Sequence, residues 1–266
     1  MATKKTITLG ELNLDVTYSV KDGSVRGCHT ESGHNLKVGD MIVIDNYFHE
    51  IIETPTEPEK TPTEPEKPLT VSISKGNRKM GAIPSVSLPP IVTCPAGAPC
   101  VGKCYAAKMC RIYPSVKKAY QNNLDILNDN WCEYWQQVRT AVALNKYFRF
   151  HVSGDLPNEA YFKEVVITAR QNPTTQILIF TKRYNIVNDF IAVYGDLPAN
   201  LHLIMSEWGC QKPANPYNLP TAAVIFKGEV PADDWKVCGG NCTECACRGC
   251  GCWELKKGET IAFYEH

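Results

Sequence analysis

No run of about 18 apolar residues occurs in the chain, so nothing in it reads as a membrane-spanning helix. The start Met1-Ala2-Thr3-Lys4-Lys5 leads into an alternating strand pattern instead of an apolar signal core. The expectation is a soluble, cytoplasmic protein with no membrane partner. Net charge is missing too, because 28 Lys and Arg offset 28 Asp and Glu. No global field therefore draws the protein to nucleic acid, and such a partner would need a local patch. Neither a GxxxxGKS/T loop nor a GxGxxG loop is present, which leaves no signature of nucleotide hydrolysis or dinucleotide binding. What the chain does have is apolar content, 44% of 266 residues, enough to bury a core in one or two domains. It also has 13 cysteines, far more than packing needs. A reducing cytosol argues against a disulfide framework for them, and metal ligation is the leading explanation.

The clearest boundary is a tandem heptapeptide, Thr54 to Lys60 repeated as Thr61 to Lys67 and followed by Pro68. Its prolines break helix and sheet alike, so residues 54–68 are expected to form an extended linker. Before it, residues 1–53 read as a small all-β appendage. Candidate strands are Thr6 to Leu9, Leu14 to Tyr18 and Met41 to Asp45, with turn signals at Lys21-Asp22-Gly23 and Val38-Gly39-Asp40. After it, in residues 69–266, apolar runs alternate with amphipathic stretches, the pattern of βα units around a parallel sheet. Strands are expected at Val86 to Val92, Tyr147 to Val152, Gln176 to Thr181, Leu201 to Met205, Ala222 to Phe226 and Thr260 to Tyr264. Helices are expected from about Ser115 to Asn145, Asn158 to Arg170 and Asn185 to Tyr194. Trp131, Tyr134 and Trp135 fall at helical spacing and read as core rather than as a base-stacking platform. Six strands suffice for a partial (βα)6 barrel and are too few for a closed eight-stranded one. Chemistry is expected at the C-terminal edge of the strands.

Ten cysteines fall into two groups. Cys94, Cys100, Cys104 and Cys110 follow the first strand of the sheet at C-x5-C-x3-C-x5-C spacing, in a loop whose Gly and Pro leave the backbone uncrowded. Cys238, Cys242, Cys245, Cys247, Cys250 and Cys252 occupy fifteen residues of a tail ending in Trp253. Thiolate-rich sites of this kind suit iron-sulfur clusters, one or two of them, [4Fe-4S] or larger. Zinc is the alternative, with C-x2-C pairs such as Cys242 with Cys245 and Cys247 with Cys250. The isolated Cys28, Cys132 and Cys210 read as ordinary buried thiols, although Cys210 lies near the expected active edge.

Several residues carry a family resemblance. They are Cys94-Pro95, Cys104-Tyr105-Ala106, Phe148 to Leu156 through His151 and Ser153-Gly154-Asp155, Phe180-Thr181-Lys182-Arg183, and the closing Cys252-Trp253. Together, from about Val71 onward, they resemble the phage gene product eighty-eight family, and also the broader radical-SAM-like phage proteins that share a CYA loop and a TKR strand end. The resemblance implies a radical-SAM-like partial barrel, an iron-sulfur cluster and S-adenosylmethionine as a candidate cofactor, in the cytoplasm of a host cell. It implies no settled reaction or substrate, small or macromolecular. The chain departs from the radical SAM motif C-x3-C-x2-C in its first loop, where a fourth thiol would close the cluster. The match that does occur, Cys238 to Cys245, comes after five candidate strands instead of one.

If the protein is an enzyme, redox or radical chemistry is the expectation, with Asp155, His151 and Lys182 as catalytic candidates and Ser153, Gly154 and Arg183 as cofactor-binding ones. Asp155 stands where related barrels hold the methionine amine; it equally suits a helix cap or a turn. His151 continues the alternation of Tyr147 and Arg149 and reads as ligand, acid or base, or core residue. Lys182 and Arg183 would neutralise a thiolate-ligated cluster, hold an anionic substrate or form a solvated pair. The basic run Lys75 to Gly81 could contact phosphates but is too short to argue nucleic-acid binding alone. The rival reading is a zinc-stabilised nucleic-acid- or protein-binding module without catalysis.

Overall fold

The computed structural model describes residues 69–209, 212–248 and 251–265 and five strand segments between Thr6 and Glu50. Two compact units divide the chain, Met1–Lys67 and Pro68–His266. In the first, β1 (Thr6–Thr8) runs parallel to β4 (Met41–Ile44), which pairs antiparallel with β5 (Tyr47–Glu50). Separately, β2 (Thr17–Lys21) and β3 (Ser24–His29) pair antiparallel; the turn signal at Asp22-Gly23 lies outside the described residues. The Pro-rich repeat lies outside the described residues.

The second unit is built on an eight-stranded sheet. Its strands are β6 (Ile73–Ser74), β7 (Ser85–Val86), β8 (Tyr147–Phe150), β9 (Gln176–Thr181), β10 (Leu201–Ser206), β11 (Thr221–Ile225), β12 (Lys236–Val237) and β13 (Thr260–Tyr264). They lie in the order β12-β13-β11-β10-β9-β8-β7-β6, and every neighbouring pair is parallel except β6 with β7. Five of the six expected strands are present, in an α/β unit as the alternating rhythm requires, and the first, expected from Val86 to Val92, is reduced to Ser85–Val86. Only Ser85 and Val86 pair, because Pro89 and Pro90 follow and proline cannot donate to a ladder.

Among the described residues six α-helices accompany the sheet: α1 (Tyr105–Ile112), α2 (Pro114–Asp129), α3 (Trp131–Ala143), α4 (Glu159–Gln171), α5 (Tyr184–Tyr194) and α6 (Cys242–Arg248). The single long helix expected from Ser115 to Asn145 is two. Asn130 leaves helical geometry and its side chain accepts a hydrogen bond from the Glu133 amide, so an N-cap restarts the chain as α3. Asn158 caps α4 in the same way, accepting from the Tyr161 amide at 2.8 Å. Cys132, read from sequence as buried, is exposed on α3.

Alternation along the strands gives each face its own core. Phe148, Phe150, Ile177, Ile179, Leu203 and Met205 face the helices, where Leu127, Trp135, Phe162 and Val187 meet them. Leu178, Ile204, Ala222 and Ile261 face the other way and are covered by Met80, Ala246 and Trp253. A sheet buried on both faces explains the near-continuous apolar reading of β9 and β10. Loops are fastened by buried amides. Asn123 accepts from the Ser72 amide and donates to the Ser72 and Ser87 carbonyls, and Asn200 donates to the carbonyls of Ala169, Asn172 and Thr175.

Trp135 is 1% exposed and packs on Tyr161, with ring centroids 4.8 Å apart, and on Tyr134 and Phe150. Trp135→Ala is expected to cost about 3–5 kcal/mol, read as a loss of unfolding free energy in urea, whereas Cys132→Ser, less than one turn away on α3 but at the surface, should change it by no more than about 0.5 kcal/mol.

Candidate functional site

The first thiol loop is anchored by the turn that follows β8. The Leu88 amide donates to the Ser153 carbonyl, and the Asp155 amide donates to Thr93 Oγ1 at 3.2 Å. Gly154 sits between them at φ +80°, where a Cβ would lie 2.6 Å from Thr93 Oγ1 and 2.8 Å from the Leu88 carbonyl oxygen. Only glycine satisfies both the backbone angle and the contact. From the next strand end, Arg183 Nη2 donates to the carbonyls of Thr93 and Cys94 at 3.3 and 3.2 Å. Arg183 therefore fastens the loop at its first cysteine and is not a solvated charge.

Asp155 is the centre of this edge. One carboxylate oxygen accepts from Thr181 Oγ1 at 2.6 Å and from the Leu156 amide at 2.8 Å, and the other accepts from the Lys182 amide at 2.8 Å. It caps no helix, since Asn158 takes that role. Burial raises its pKa above the ordinary carboxylate value, against the pull of Thr181, the two amides and the Lys182 charge. Lys182 Nζ donates to Ser206 Oγ at 2.7 Å, and the Tyr184 hydroxyl donates to the Ser206 carbonyl. The ends of β8, β9 and β10 are thus joined through side chains.

His151 departs from the expected alternation. Its φ of +59° turns the ring away from Tyr147 and Arg149 and onto the helix side, 5.3 Å from the Tyr161 ring. Neither ring nitrogen has a hydrogen-bond partner. Burial pushes the pKa down to about 3, with the Ser153 backbone opposing and the Arg149 charge reinforcing, so the imidazole is neutral. Ser153 is buried as well, with its hydroxyl unpartnered.

The Cys-rich segment covers the sheet face opposite the helices. The Cys238 amide donates to the Ala262 carbonyl, and the Cys242 amide donates to the Lys79 carbonyl at 3.0 Å. Thr243 Oγ1 donates to the Met80 carbonyl, so the basic run Lys75 to Gly81 acts as a clamp on α6. Trp253 packs edge-on to Tyr147 at 5.0 Å, and the Tyr147 hydroxyl donates to the Ala246 carbonyl.

The structure groups the described thiols by segment. Burial pushes Cys94 up to about 11, with Asp155, Cys104 and Cys100 adding to the effect and the Ile91 backbone opposing it. Burial also raises Cys110, and Cys104 adds to that. In the second group burial pushes Cys252 up to about 12; Arg149 opposes, while Cys238, Cys242 and Cys245 reinforce. Cys94, Cys100, Cys104, Cys110, Cys238, Cys242 and Cys252 form no disulfide. Cys247 lies in α6 without a described side chain, and Cys250 and Cys210 fall outside the described residues. Among the described residues no three or more His, Cys, Asp or Glu side chains are gathered as a site for one metal ion. The residue that sequence reasoning passed over is Arg149. Its guanidinium lies 4.9 Å from the Phe180 ring centroid, its Nε is buried without a partner, and it acts electrostatically on Cys242, Cys252 and Tyr105. Its place in a strand between two phenylalanines was the available signal.

Gly154→Ala is expected to push the turn off Thr93 and Leu88, costing about 1–3 kcal/mol from backbone strain. The measurement is a lowered thermal midpoint together with faster reaction of the Cys94 thiol with a disulfide reagent.

The family profile described as Gene product 88 matches residues 59–255, which takes in both thiol groups and every strand of the sheet except β13. No curated protein and no solved structure matches the chain. With most of its length matched, from the linker through Leu255, the chain belongs to the Gene product 88 family.

Proposed function

We propose that this protein binds iron-sulfur clusters through its two thiol groups, on a sheet that winds as a partial barrel of the radical-SAM-like type. Two features support the barrel. Strands β7 to β11 stand side by side in chain order, and α2 to α5 all contribute to the core on one face. A doubly wound sheet reverses its order midway and covers both faces with helices. Here the second face is taken by the Cys-rich segment.

Arg149 is the observation that carries the cluster reading. It forms no ion pair among the described residues, its Nε is buried unpartnered, and the groups it faces are thiols held in their neutral form by burial. A guanidinium in that position is short of an anion. Metal-bound thiolates supply one, because ligation deprotonates the sulfur. The donor set fits, being sulfur without carboxylate or imidazole among the grouped thiols, which suits iron-sulfur chemistry. Cys94, Cys100, Cys104 and Cys110 would hold one cluster; Cys238, Cys242, Cys245 and Cys252 would hold another, with Cys247 and Cys250 as further thiols. Such clusters, when bound, supply one-electron transfer. The chain's own part is to balance charge with Arg149, hold the first loop with Arg183 and Gly154, and fix the strand ends through Asp155. S-adenosylmethionine is the cofactor that a radical-SAM reading adds. Asp155 already accepts from Thr181 and two backbone amides, and four thiols are available to the first loop, so a closed cluster is the favoured form.

Protein purified without oxygen is expected to contain iron with matching acid-labile sulfide and to absorb broadly in the visible. Cys104→Ser and Cys252→Ser should each remove part of both, and Arg149→Gln should weaken iron retention about tenfold. Stoichiometric zinc without sulfide would overturn the proposal. S-adenosylmethionine added to the reduced protein should leave its electron paramagnetic resonance spectrum unchanged; a shifted signal would show an open iron.

A further inference from the structure

Charge is segregated along a chain that is neutral as a whole. The 57 residues from Pro68 to Leu124 hold eight of the 28 Lys and Arg and none of the 28 Asp and Glu. Four of these cations stand exposed on the helical pair that follows the first thiol loop. On α1, Tyr105, Lys108, Arg111 and Ile112 are exposed and fall on one face at helical spacing, while Ala106 is buried. Tyr113 joins the two helices, and α2 then sets Lys117 close enough to Cys110 of α1 to act on its thiol, with Lys118 next to it. Lys103, just before α1, is paired with Glu265. Lys108, Arg111, Lys117 and Lys118 make no ion pair among the described residues.

Folding alone does not account for this arrangement. Lys117 and Lys118 stand at the start of α2, the end at which the helix dipole disfavours cations, and its first turn has no acidic residue to compensate. The surface also exposes aromatic and apolar groups, with Tyr113 and Ile112 each 51% exposed and Tyr105 46%. The Tyr105 ring is fixed in place, since its hydroxyl donates to the Val152 carbonyl.

We propose that the exposed surface of α1 and α2 binds single-stranded nucleic acid, with Lys108, Arg111, Lys117 and Lys118 meeting successive backbone phosphates and the Tyr113 ring between the two helices stacking on a base. Cations beside exposed rings are the combination that sequence-tolerant single-strand binding uses. A duplex presents phosphates but keeps its bases stacked, so the tyrosine has no counterpart there. The inference does not depend on whether the thiols hold metal.

The test is fluorescence anisotropy of a labelled oligodeoxythymidine of about 16 nucleotides, titrated with the full-length protein at several salt concentrations. Four phosphate contacts predict that log K falls with log salt at a slope of about −3, near 0.7 per contact on a single strand. Lys108→Ala with Arg111→Ala should flatten the slope by about 1.4. Tyr113→Ala should weaken binding about tenfold and leave the slope unchanged. All three positions are exposed, and an unaltered thermal midpoint confirms that each variant folds. No binding at about 50 mM salt would overturn the inference, as would an unchanged slope in the double variant. Equal affinity for a duplex of the same length, or for polyglutamate, would overturn it too, by showing a surface that takes any polyanion.

Discussion

A parallel sheet has to be covered on both faces, and the rest of this structure depends on how the second face is covered. The first face is conventional, with aliphatic and aromatic side chains of α2 to α5 packed on Phe148, Ile177 and Leu203. The second is closed by a segment whose contribution to the core includes Ala246, Trp253 and four partly buried cysteines. Leu178, Ile204 and Ile261 thus share their cluster with sulfur as well as hydrocarbon. Free thiols pack as small apolar groups, and ligated ones would cross-link the segment to itself. Whatever state those sulfurs are in, the cover and the sheet share it.

The edge of the sheet follows a different logic, in which polar groups replace apolar ones as fasteners. Asp155, Thr181, Lys182 and Ser206 form one chain of hydrogen bonds across three strand ends. Thr93, Gly154 and Arg183 carry that rigidity into the loop that starts at Cys94. A buried carboxylate is costly unless its oxygens are satisfied, and three donors from two strand ends do this for Asp155. The loop's thiols are therefore presented from a fixed base, while their own backbone is free of the sheet.

Much of this was legible in the sequence because it rests on periodicity. The strands at Gln176 to Thr181 and Thr260 to Tyr264 were delimited by apolar runs alone, and α4 and α5 by the amphipathic spacing between such runs. The break at Asn130 was written in the chain as an Asn three residues before a Glu, but a continuous apolar stripe from Val116 to Val138 masked it. The grouping of the cysteines was readable from spacing, whereas the face that the second group occupies was not, because spacing carries no information about which side of a sheet a later segment returns to. His151 shows a further limit. Alternation placed it with Arg149, and one positive φ angle sent it to the opposite side. Arg149 went unnoticed since a lone arginine inside a strand looks like an edge residue until its neighbours are known.

The clamp between the turn at Lys79-Met80 and the start of α6 joins residues more than 160 positions apart. Contacts of that separation form late, after the loop between them has been closed. During synthesis β6 to β11 leave the ribosome before the segment that covers them, and domains fold from the N-terminal side first. For that interval Leu178, Ile204 and Ala222 have only water to face. The order of elements along the chain therefore makes the newborn sheet sticky on one side, and its protection waits on the arrival of six cysteines.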